Sequence, residues 1–316
     1  MIQYLKKKKG QALQELDQLE IGCWINVYPP YTRQELEGLR KRLSIPVDYV
    51  DDSLDFDERP RYEQEDGVQL IIINIPIQNI AITEDDALYS TIPIGIIEVD
   101  DYVLTISKYK NSVIDYFLND NSSQMDTTVH NHFVLLLFDR TVYYYLFFLK
   151  KLNYQRYIYE KEVYNSSRNK ELSQMLNIQK SLVYFVTTLR SNEIVMLKIQ
   201  RTDFLKIRDN EACVDFMDDI LVDTGQALEM ANIYTNILNG TMDAFAAIIS
   251  NNLNIVMRRL TSVTIVLMVP TLVASFYGMN VTLPFDKHPQ AYVWTIAISI
   301  IGSIMLVGLF KKQNWL

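Results

Sequence analysis

The sequence predicts a mixed α/β domain followed by one very long helix and two C-terminal membrane-spanning helices. Strand and helix signals alternate up to residue 107, which predicts a sheet flanked by helices. Proline is absent between Asn210 and Pro270, so one helix can run through that stretch. No Asp, Glu, Lys or Arg occurs between Arg259 and Asp286, or between residues 288 and 311. Each gap can hold the ~20 mostly apolar residues that cross a bilayer.

Six elements make up the predicted sheet and the helices that cover it. Residues 21–28 form a short β-rich run that Pro29-Pro30 ends. Thr32 and Glu35 have capping-box spacing at the start of a helix predicted over 32–43. The remaining elements are a helix over 47–54, a buried strand over 68–75, and a hairpin of strands 91–99 and 102–107 that turns at Asp100-Asp101.

Helical patterns dominate after residue 108, over 111–119, 129–164 and 170–190. A helix over residues 210–276 would be about 100 Å long, so most of it must project from the membrane as a stalk. Stalks of that length need partners to bury their apolar stripe. The predicted segments are a cytoplasmic domain with a helical extension (1–209), a stalk (210–259), transmembrane helices (260–276 and 292–310), their connection (277–291) and a basic tail (311–316).

The charges around the two apolar segments predict their orientation. Arg258 and Arg259 precede the first segment, and Lys311 and Lys312 follow the second. The loop between the segments carries only Asp286, Lys287 and His288 as charged or titratable residues. Basic residues favour the cytoplasmic side, so both termini are expected in the cytoplasm. The alternative is a buried helical hairpin in a soluble protein, which two uncharged stretches of this length disfavour.

Composition and motifs exclude several classes of function. A net charge of −8 argues against a nucleic-acid binder. Cys23 and Cys213 are far apart and form no CxxC, and His130-Asn131-His132 lacks an evident third metal ligand. The chain contains no GxxxxGK[ST] phosphate loop and no evident catalytic triad. We therefore expect no enzyme activity, no ATP-driven pumping and no organic cofactor.

One face of the first membrane segment is mixed polar and apolar. Its members recur at steps of three or four residues: Asn254, Met257, Leu260 (or Thr261), Thr264, Met268, Thr271 and Ser275. Hydroxyls in a lipid environment are unfavourable unless they meet another helix or water. Several copies around an axis would therefore form a narrow pore with polar rings. Ordinary helix packing through small residues explains the spacing equally well.

The outer end of that segment reads Tyr277-Gly278-Met279-Asn280 and is followed by one further apolar segment and the tail Lys311-Lys312-Gln313-Asn314-Trp315-Leu316. In this layout the chain resembles the CorA family of magnesium transport proteins. The resemblance implies a homopentameric channel in the plasma (inner) membrane, with an α/β/α cytoplasmic domain and a stalk continuous with the pore helix. It also implies that Gly278, Met279 and Asn280 form the selectivity mouth and that the mixed face lines the pore.

The resemblance further implies that intracellular divalent ions regulate the channel between neighbouring cytoplasmic domains. The candidate ligands are Glu84, Asp85 and Asp86 in one loop, and Asp215, Asp218, Asp219 and Asp223 near the start of the stalk. The last four have helical spacing and can share one acidic face. A solvated helix terminus, where acids suit the helix dipole, explains them as well. Mg²⁺ is thus expected both as the transported ion and as the regulator.

The outer loop departs from the family pattern. Many members carry Met-Pro-Glu-Leu after the Gly-Met-Asn triplet, whereas residues 281–289 here contain Asp286 as their sole acid. We expect weaker attraction of cations at the outer mouth, and the identity of the ion is left more open. The alternatives are a Zn²⁺, Co²⁺ or Ni²⁺ transporter of the same superfamily, with or without proton coupling, and a membrane-tethered sensor or scaffold that conducts nothing.

Overall fold

The computed structural model describes residues 1–79, 86–165, 169–279, 289–313 and 315. The chain divides into two compact units, Met1–Gly240 and Thr241–Leu316. The first unit holds a single seven-stranded sheet with helices on both faces. The second holds the C-terminal part of one long helix and the final helix.

The sheet is mixed, with strand order β2-β1-β3-β7-β6-β5-β4. All neighbouring strands are antiparallel except β3 and β7, which run parallel with Trp24 opposite Val103. The strands are β1 Ile2–Lys6, β2 Gln14–Leu16, β3 Trp24–Val27, β4 Arg61–Glu65, β5 Val68–Gln78, β6 Tyr89–Val99 and β7 Tyr102–Ser107. The three adjacent strands β5, β6 and β7 are buried on both faces, which explains their near-continuous apolar sequences.

Seven helices complete the described structure. They are α1 Arg33–Arg42, α2 Val47–Leu54, α3 Ser112–Leu118, α4 His130–Asn165, α5 Asn169–Thr202, α6 Glu211–Tyr277 and α7 Ala291–Lys312. The capping box predicted for α1 is present, because Thr32 Oγ1 accepts from the Glu35 amide at 3.2 Å and Glu35 accepts from the Thr32 amide at 2.7 Å. The 67-residue α6 confirms the long helix that the sequence predicted.

Alternate residues of each central strand enter two separate cores. Leu70 and Ile72 of β5 face the core formed with α1 and α2. Ile71 and Ile73 face the other core, which α3, α4, α5 and the first turns of α6 complete. This period of two confirms the mixed sheet between helical layers. Gly95 of β6 lets α2 approach closely, because a Cβ at that position would collide with the side chain of Ser53.

The sequence did not predict three of the strands or the last part of one helix. β1, β2 and β4 were not predicted, and α5 extends to Thr202 rather than ending at residue 190. β2 and β4 are the two edges of the sheet and are mostly exposed. Edge strands exposed to water need no alternating apolar pattern, so hydrophobic periodicity does not reveal them.

α4 contains a run of aromatic residues between Tyr143 and Phe148 that is only partly buried in the core. Tyr145 and Phe148 are buried, whereas Tyr143 and Phe147 are exposed and stack on each other. The Tyr145 hydroxyl donates to the carbonyl oxygen of Asn74 on β5 at 2.9 Å and lies 3.0 Å from Thr188 Oγ1 on α5. Burial raises the pKa of this phenol well above its ordinary value. Tyr145 therefore stays neutral and joins α4, α5 and the sheet.

Candidate functional site

Three helices among the described residues are long and apolar enough to cross a membrane. They are α6, α7 and residues 130–162 of α4. The most apolar stretch of α4 is 61% buried inside the protein, against 6% for the corresponding stretches of α6 and α7. Burial thus assigns α4 to the protein core and leaves α6 and α7 with exposed apolar surfaces that a bilayer would cover.

One face of α6 lies against α7. Ser262 is fully buried, and Val266, Val269 and Val273 follow at helical spacing and are partly buried. Ser303 Oγ of α7 is 3.4 Å from the Val266 carbonyl oxygen. At Gly302 of α7, an added Cβ would be 3.0 Å from Val269 Cγ1. The helices therefore pack closely, through small residues on α7.

The stripe predicted to line a pore occupies the opposite face of α6. At 100° per residue, Thr264, Met268, Thr271 and Ser275 fall about half a turn from Ser262 and Val266. All seven predicted members are exposed, including Asn254, Met257 and Leu260 nearer the start of the helix. Packing against α7 therefore does not account for the hydroxyls of this face. The face is available to other copies of the chain or to water.

The threonine hydroxyls of this face are bonded within their own helix. Thr264 Oγ1 donates to the Leu260 carbonyl oxygen at 2.8 Å, and Thr271 Oγ1 to the Leu267 carbonyl oxygen at 3.3 Å. Because each hydroxyl has one proton, its remaining capacity is to accept hydrogen bonds. Water molecules bound to a cation orient their protons outward. A row of acceptors therefore suits a hydrated cation.

The helix ends where the predicted selectivity residues begin. Gly278 N donates to the Ala274 carbonyl oxygen at 2.9 Å, and Met279 N to the Phe276 carbonyl oxygen at 3.2 Å. A Cβ on Gly278 would be only 3.3 Å from the Ala274 oxygen, so glycine permits a tight end of the helix. Met279 is exposed. Asn280 and the loop acid Asp286 lie outside the described residues.

The four predicted regulatory acids on α6 are exposed on the single chain. Asp215, Asp218, Asp219 and Asp223 all lie on the surface of α6, and Gln200 of α5 donates to Asp218 Oδ1 at 2.5 Å. Glu84 and Asp85 lie outside the described residues, whereas Asp86 precedes β6 within them. Within the described parts of the chain, no three or more His, Cys, Asp or Glu side chains are grouped to hold a metal ion.

Sequence reasoning missed Asp139, which contributes to the electrostatics of this acidic surface. Burial raises the pKa of the Asp139 carboxyl, the neighbouring Arg140 lowers it, and the negative charge of Asp223 raises it again. Asp139 lies in the first third of α4, and its side chain is 36% exposed. Only the packing of α4 beside α6 brings the two carboxylates together, so spacing along either helix carries no signal of it.

Comparison with known proteins agrees with this arrangement. The family model described as "CorA-like Mg2+ transporter protein" matches residues 20–312. The chain belongs to the CorA family. Within that family it is 26% identical over 308 residues to the cobalt/magnesium transport protein CorA of Methanocaldococcus jannaschii, an alignment covering 93% of this chain and 91% of the relative. Identity to the protein of the same name from Thermotoga maritima is 22% over 311 residues, covering 93% of this chain and 83% of that one.

A solved structure agrees with the architecture over its full length. The complete structure of the CorA magnesium transporter from M. jannaschii superimposes with a TM-score of 0.84 at 23% identity, covering 100% of this chain and 99% of that one. At this identity the likeness supports the fold, including the long helices. Family membership supports magnesium transport across a membrane as the function class.

Proposed function

We propose that this CorA member is a passive, membrane-potential-driven Mg²⁺ channel. Five copies of α6, the number that the family resemblance implies, would surround a pore with their polar stripes facing inward. The observation that carries this proposal is the division of α6 into two faces, one packed on α7 and one exposed with acceptor hydroxyls. An anchor or scaffold would have no use for that second face, so the tethered-sensor alternative is disfavoured.

Selection of the hydrated ion would take place at Gly278, Met279 and Asn280. Neither apolar segment contains a carboxylate, so direct charge pairing cannot strip water from the ion inside the membrane. Mg²⁺ gives up its water reluctantly, and neutral oxygens can instead accept hydrogen bonds from that water. Moving two charges through the potential is worth ~4.6 kcal/mol per 100 mV, which drives entry without ATP when the cytoplasm is negative.

Regulation would come from divalent ions at acidic surfaces between subunits. The exposed carboxylates of α6, with Asp86 of a neighbouring copy, would repel one another in the ring when no ion is bound. Bound Mg²⁺ would neutralise them and favour a closed, symmetric state.

Both chain termini would lie in the cytoplasm, and α6 and α7 would be the two membrane crossings.

The decisive experiment measures Mg²⁺ uptake into liposomes under an imposed inside-negative potential. We expect uptake that follows the potential and is blocked by hexaamminecobalt, a stable mimic of hydrated Mg²⁺. Asn280→Ala should abolish uptake while gel filtration shows intact assembly. Asn251→Ala, which removes another amide exposed on α6, should leave uptake unchanged. Normal uptake by Asn280→Ala would refute the amide-ring mechanism.

A second candidate ion is Co²⁺, because the relatives from M. jannaschii and T. maritima are both named cobalt/magnesium transport proteins. The loop with Asp286 as its only acid also weakens the argument for Mg²⁺ alone. Uptake of Co²⁺ or Zn²⁺ without Mg²⁺ uptake, driven by a pH gradient rather than by the potential, would move the protein to the proton-coupled alternative.

A further inference from the structure

Four basic residues lie at one level of the α6–α7 pair. The neighbouring contacts Gly302–Val269 and Ser303–Val266 show that the two helices run antiparallel. Lys311 is eight residues after Ser303, and Arg258 is eight residues before Val266. Equal steps along antiparallel helices end at the same height. Arg258 and Arg259 of α6 are therefore level with Lys311 and Lys312 of α7.

The two arginines are on the α7 side of α6. Arg258 precedes the buried Ser262 by one turn, and the Ser262 hydroxyl donates to the Arg258 carbonyl oxygen at 2.9 Å. Arg259 flanks the same face at 100° per residue. The proposed pore stripe is about half a turn away. These cations therefore belong to the outside of the proposed channel, at the seam between its two membrane helices.

Counter-charges are scarce at this level. Residues 241–316 contain only two acidic side chains, Asp243 and Asp286. Asp243 precedes Arg258 by fifteen residues, or ~22 Å of helix, and Asp286 belongs to the segment joining the other ends of the helices. The side chains of Arg258, Arg259, Lys311 and Lys312 are all exposed, and the ion pairs found among the described residues include none of them.

Aromatic residues mark this level as a membrane surface. Trp315 folds back so that its ring stacks on Phe310, with ring centres 5.7 Å apart and planes 4° from parallel. The Trp315 amide also donates to the Phe310 carbonyl oxygen at 2.9 Å. Tryptophan beside lysine at the end of an apolar helix is typical of the headgroup region of a bilayer. A phosphate at this depth would meet cations from both helices.

We propose that the seam formed by Arg258, Arg259, Lys311 and Lys312 binds the phosphate headgroup of an anionic phospholipid. The headgroup would bridge α6 and α7, and the acyl chains would lie along their exposed apolar surfaces. The proposal rests on α6 and α7 crossing the membrane and is independent of the ion that passes. Arginine supplies paired N–H donors for the phosphate oxygens, and lysine supplies point charges.

The test is a lipid titration of the intact, detergent-solubilised assembly by native mass spectrometry. Phosphatidylglycerol and phosphatidylcholine with identical acyl chains are compared, so that only the headgroup differs. We expect phosphatidylglycerol to bind more tightly, and its preference to shrink as salt is raised. Each cation removed should cost about fivefold in phosphatidylglycerol affinity, so Arg258→Gln/Lys311→Gln should lose about 25-fold.

Three controls make the result decisive. Lys8→Gln/Lys9→Gln removes two exposed cations from the first unit and should keep the wild-type preference. The mass spectrum itself reports whether each variant assembles, and phosphatidylcholine affinity checks that its lipid-facing surface is intact. If a variant fails to assemble, the salt dependence of the wild-type preference still decides whether the contact is electrostatic.

Three results would overturn the proposal. The first is equal wild-type affinity for the two lipids at low salt, and the second is a preference for phosphatidylglycerol that Arg258→Gln/Lys311→Gln retains. The third is displacement of phosphatidylglycerol by inorganic pyrophosphate that binds the lipid-free protein equally well, which would identify a soluble phosphate as the ligand. Mg²⁺ flux through these variants is measured separately, so failure of the lipid site leaves the transport proposal standing.

Discussion

The hydroxyl oxygen of Ser303 on α7 lies 3.4 Å from the carbonyl oxygen of Val266 on α6. Pro270, inside α6, deprives that carbonyl of its partner in the helix. In a regular helix the amide of residue 270 would donate to it, and proline has no amide proton. An unsatisfied carbonyl is costly in hydrocarbon, and a serine on a neighbouring helix is one way to satisfy it. α7 therefore compensates for a defect in α6, at the same height as the close contact made by Gly302.

Ser303→Ala should destabilise the assembly by ~0.6 kcal/mol, the average for a hydrogen bond between membrane helices. Thermal unfolding of the purified protein in detergent measures the change. Ser299→Ala is the matched control, because the Ser299 hydroxyl donates to the carbonyl oxygen of Thr295, on its own helix, at 2.8 Å. The loss should also vanish in a Pro270→Ala background, where the restored amide satisfies Val266. An equal loss in both backgrounds would contradict this role.

Lys7 and Asp120 form an asymmetric ion pair in the first unit. The Lys7 side chain is 3% exposed and also donates to the Ser122 carbonyl oxygen at 2.7 Å, whereas the Asp120 side chain is 36% exposed. Asp120→Asn leaves a buried ammonium without a counter-charge. Such a loss costs 3–5 kcal/mol at fully buried sites, so we expect ~2 kcal/mol here after screening by solvent. Lys7→Met should cost less, and thermal unfolding compares the two variants.

The same pair predicts a dependence of stability on pH. The hydrogen bond from Lys7 lowers the pKa of the Asp120 carboxyl below its ordinary value. A lowered pKa in the folded state adds stability above the unfolded pKa, ~3.9, and loses it as pH falls through the folded value. The difference in melting temperature between wild type and Asp120→Asn should therefore be constant from pH 7 to 5 and shrink below pH 4. A difference independent of pH would rule out this linkage.

The proposed regulation predicts a selective loss of inhibition by Mg²⁺. Asp218→Asn/Asp219→Asn should raise the internal Mg²⁺ concentration that halves channel activity, by about tenfold if one charge-assisted contact of ~1.4 kcal/mol is lost. Asp100→Asn/Asp101→Asn, an adjacent exposed pair at the β6–β7 turn, is the control. Liposomes preloaded with graded Mg²⁺ provide the measurement. Unchanged inhibition in the Asp218/Asp219 variant would place the sensor elsewhere.

Buried elements were predictable and exposed edges were not. The β6–β7 hairpin and the capped α1 were predicted because apolar periodicity and capping residues act locally. β4 was missed because its sequence, Arg61 to Glu65, is charged at an exposed edge of the sheet. One signal could have found it: Asp66-Gly67, with φ of 50° and 85°, is the turn chemistry of a tight hairpin leading into β5.

The candidate site likewise contains one feature that the sequence predicts and others that it does not. The exposed stripe of α6 follows from residue spacing, because a continuous helix preserves that spacing over its whole length. The approach of Asp139 to Asp223 and of Ser303 to Val266 depends on packing between helices. Spacing within one helix contains no information about its register against another. Those relationships therefore became visible only in the structure.

The final prediction concerns the hydroxyls of the proposed pore. Thr264→Val keeps the side-chain shape and removes the acceptor oxygen, so hydrated Mg²⁺ should lose a hydrogen bond worth ~1 kcal/mol, or about fivefold in flux. Thr264→Ser restores the oxygen and should restore most of the flux. Thr295→Val makes the same chemical change on α7, outside the proposed pore, and should leave flux unchanged. The Thr295 hydroxyl resembles that of Thr264 in donating within its own helix, to the Ala291 carbonyl oxygen at 3.0 Å. The three variants are compared at equal protein content in the potential-driven liposome assay. Equal losses in Thr264→Val and Thr295→Val would mean that these hydroxyls support helix packing, and the exposed face of α6 would then be an interface between subunits rather than the wall of a pore.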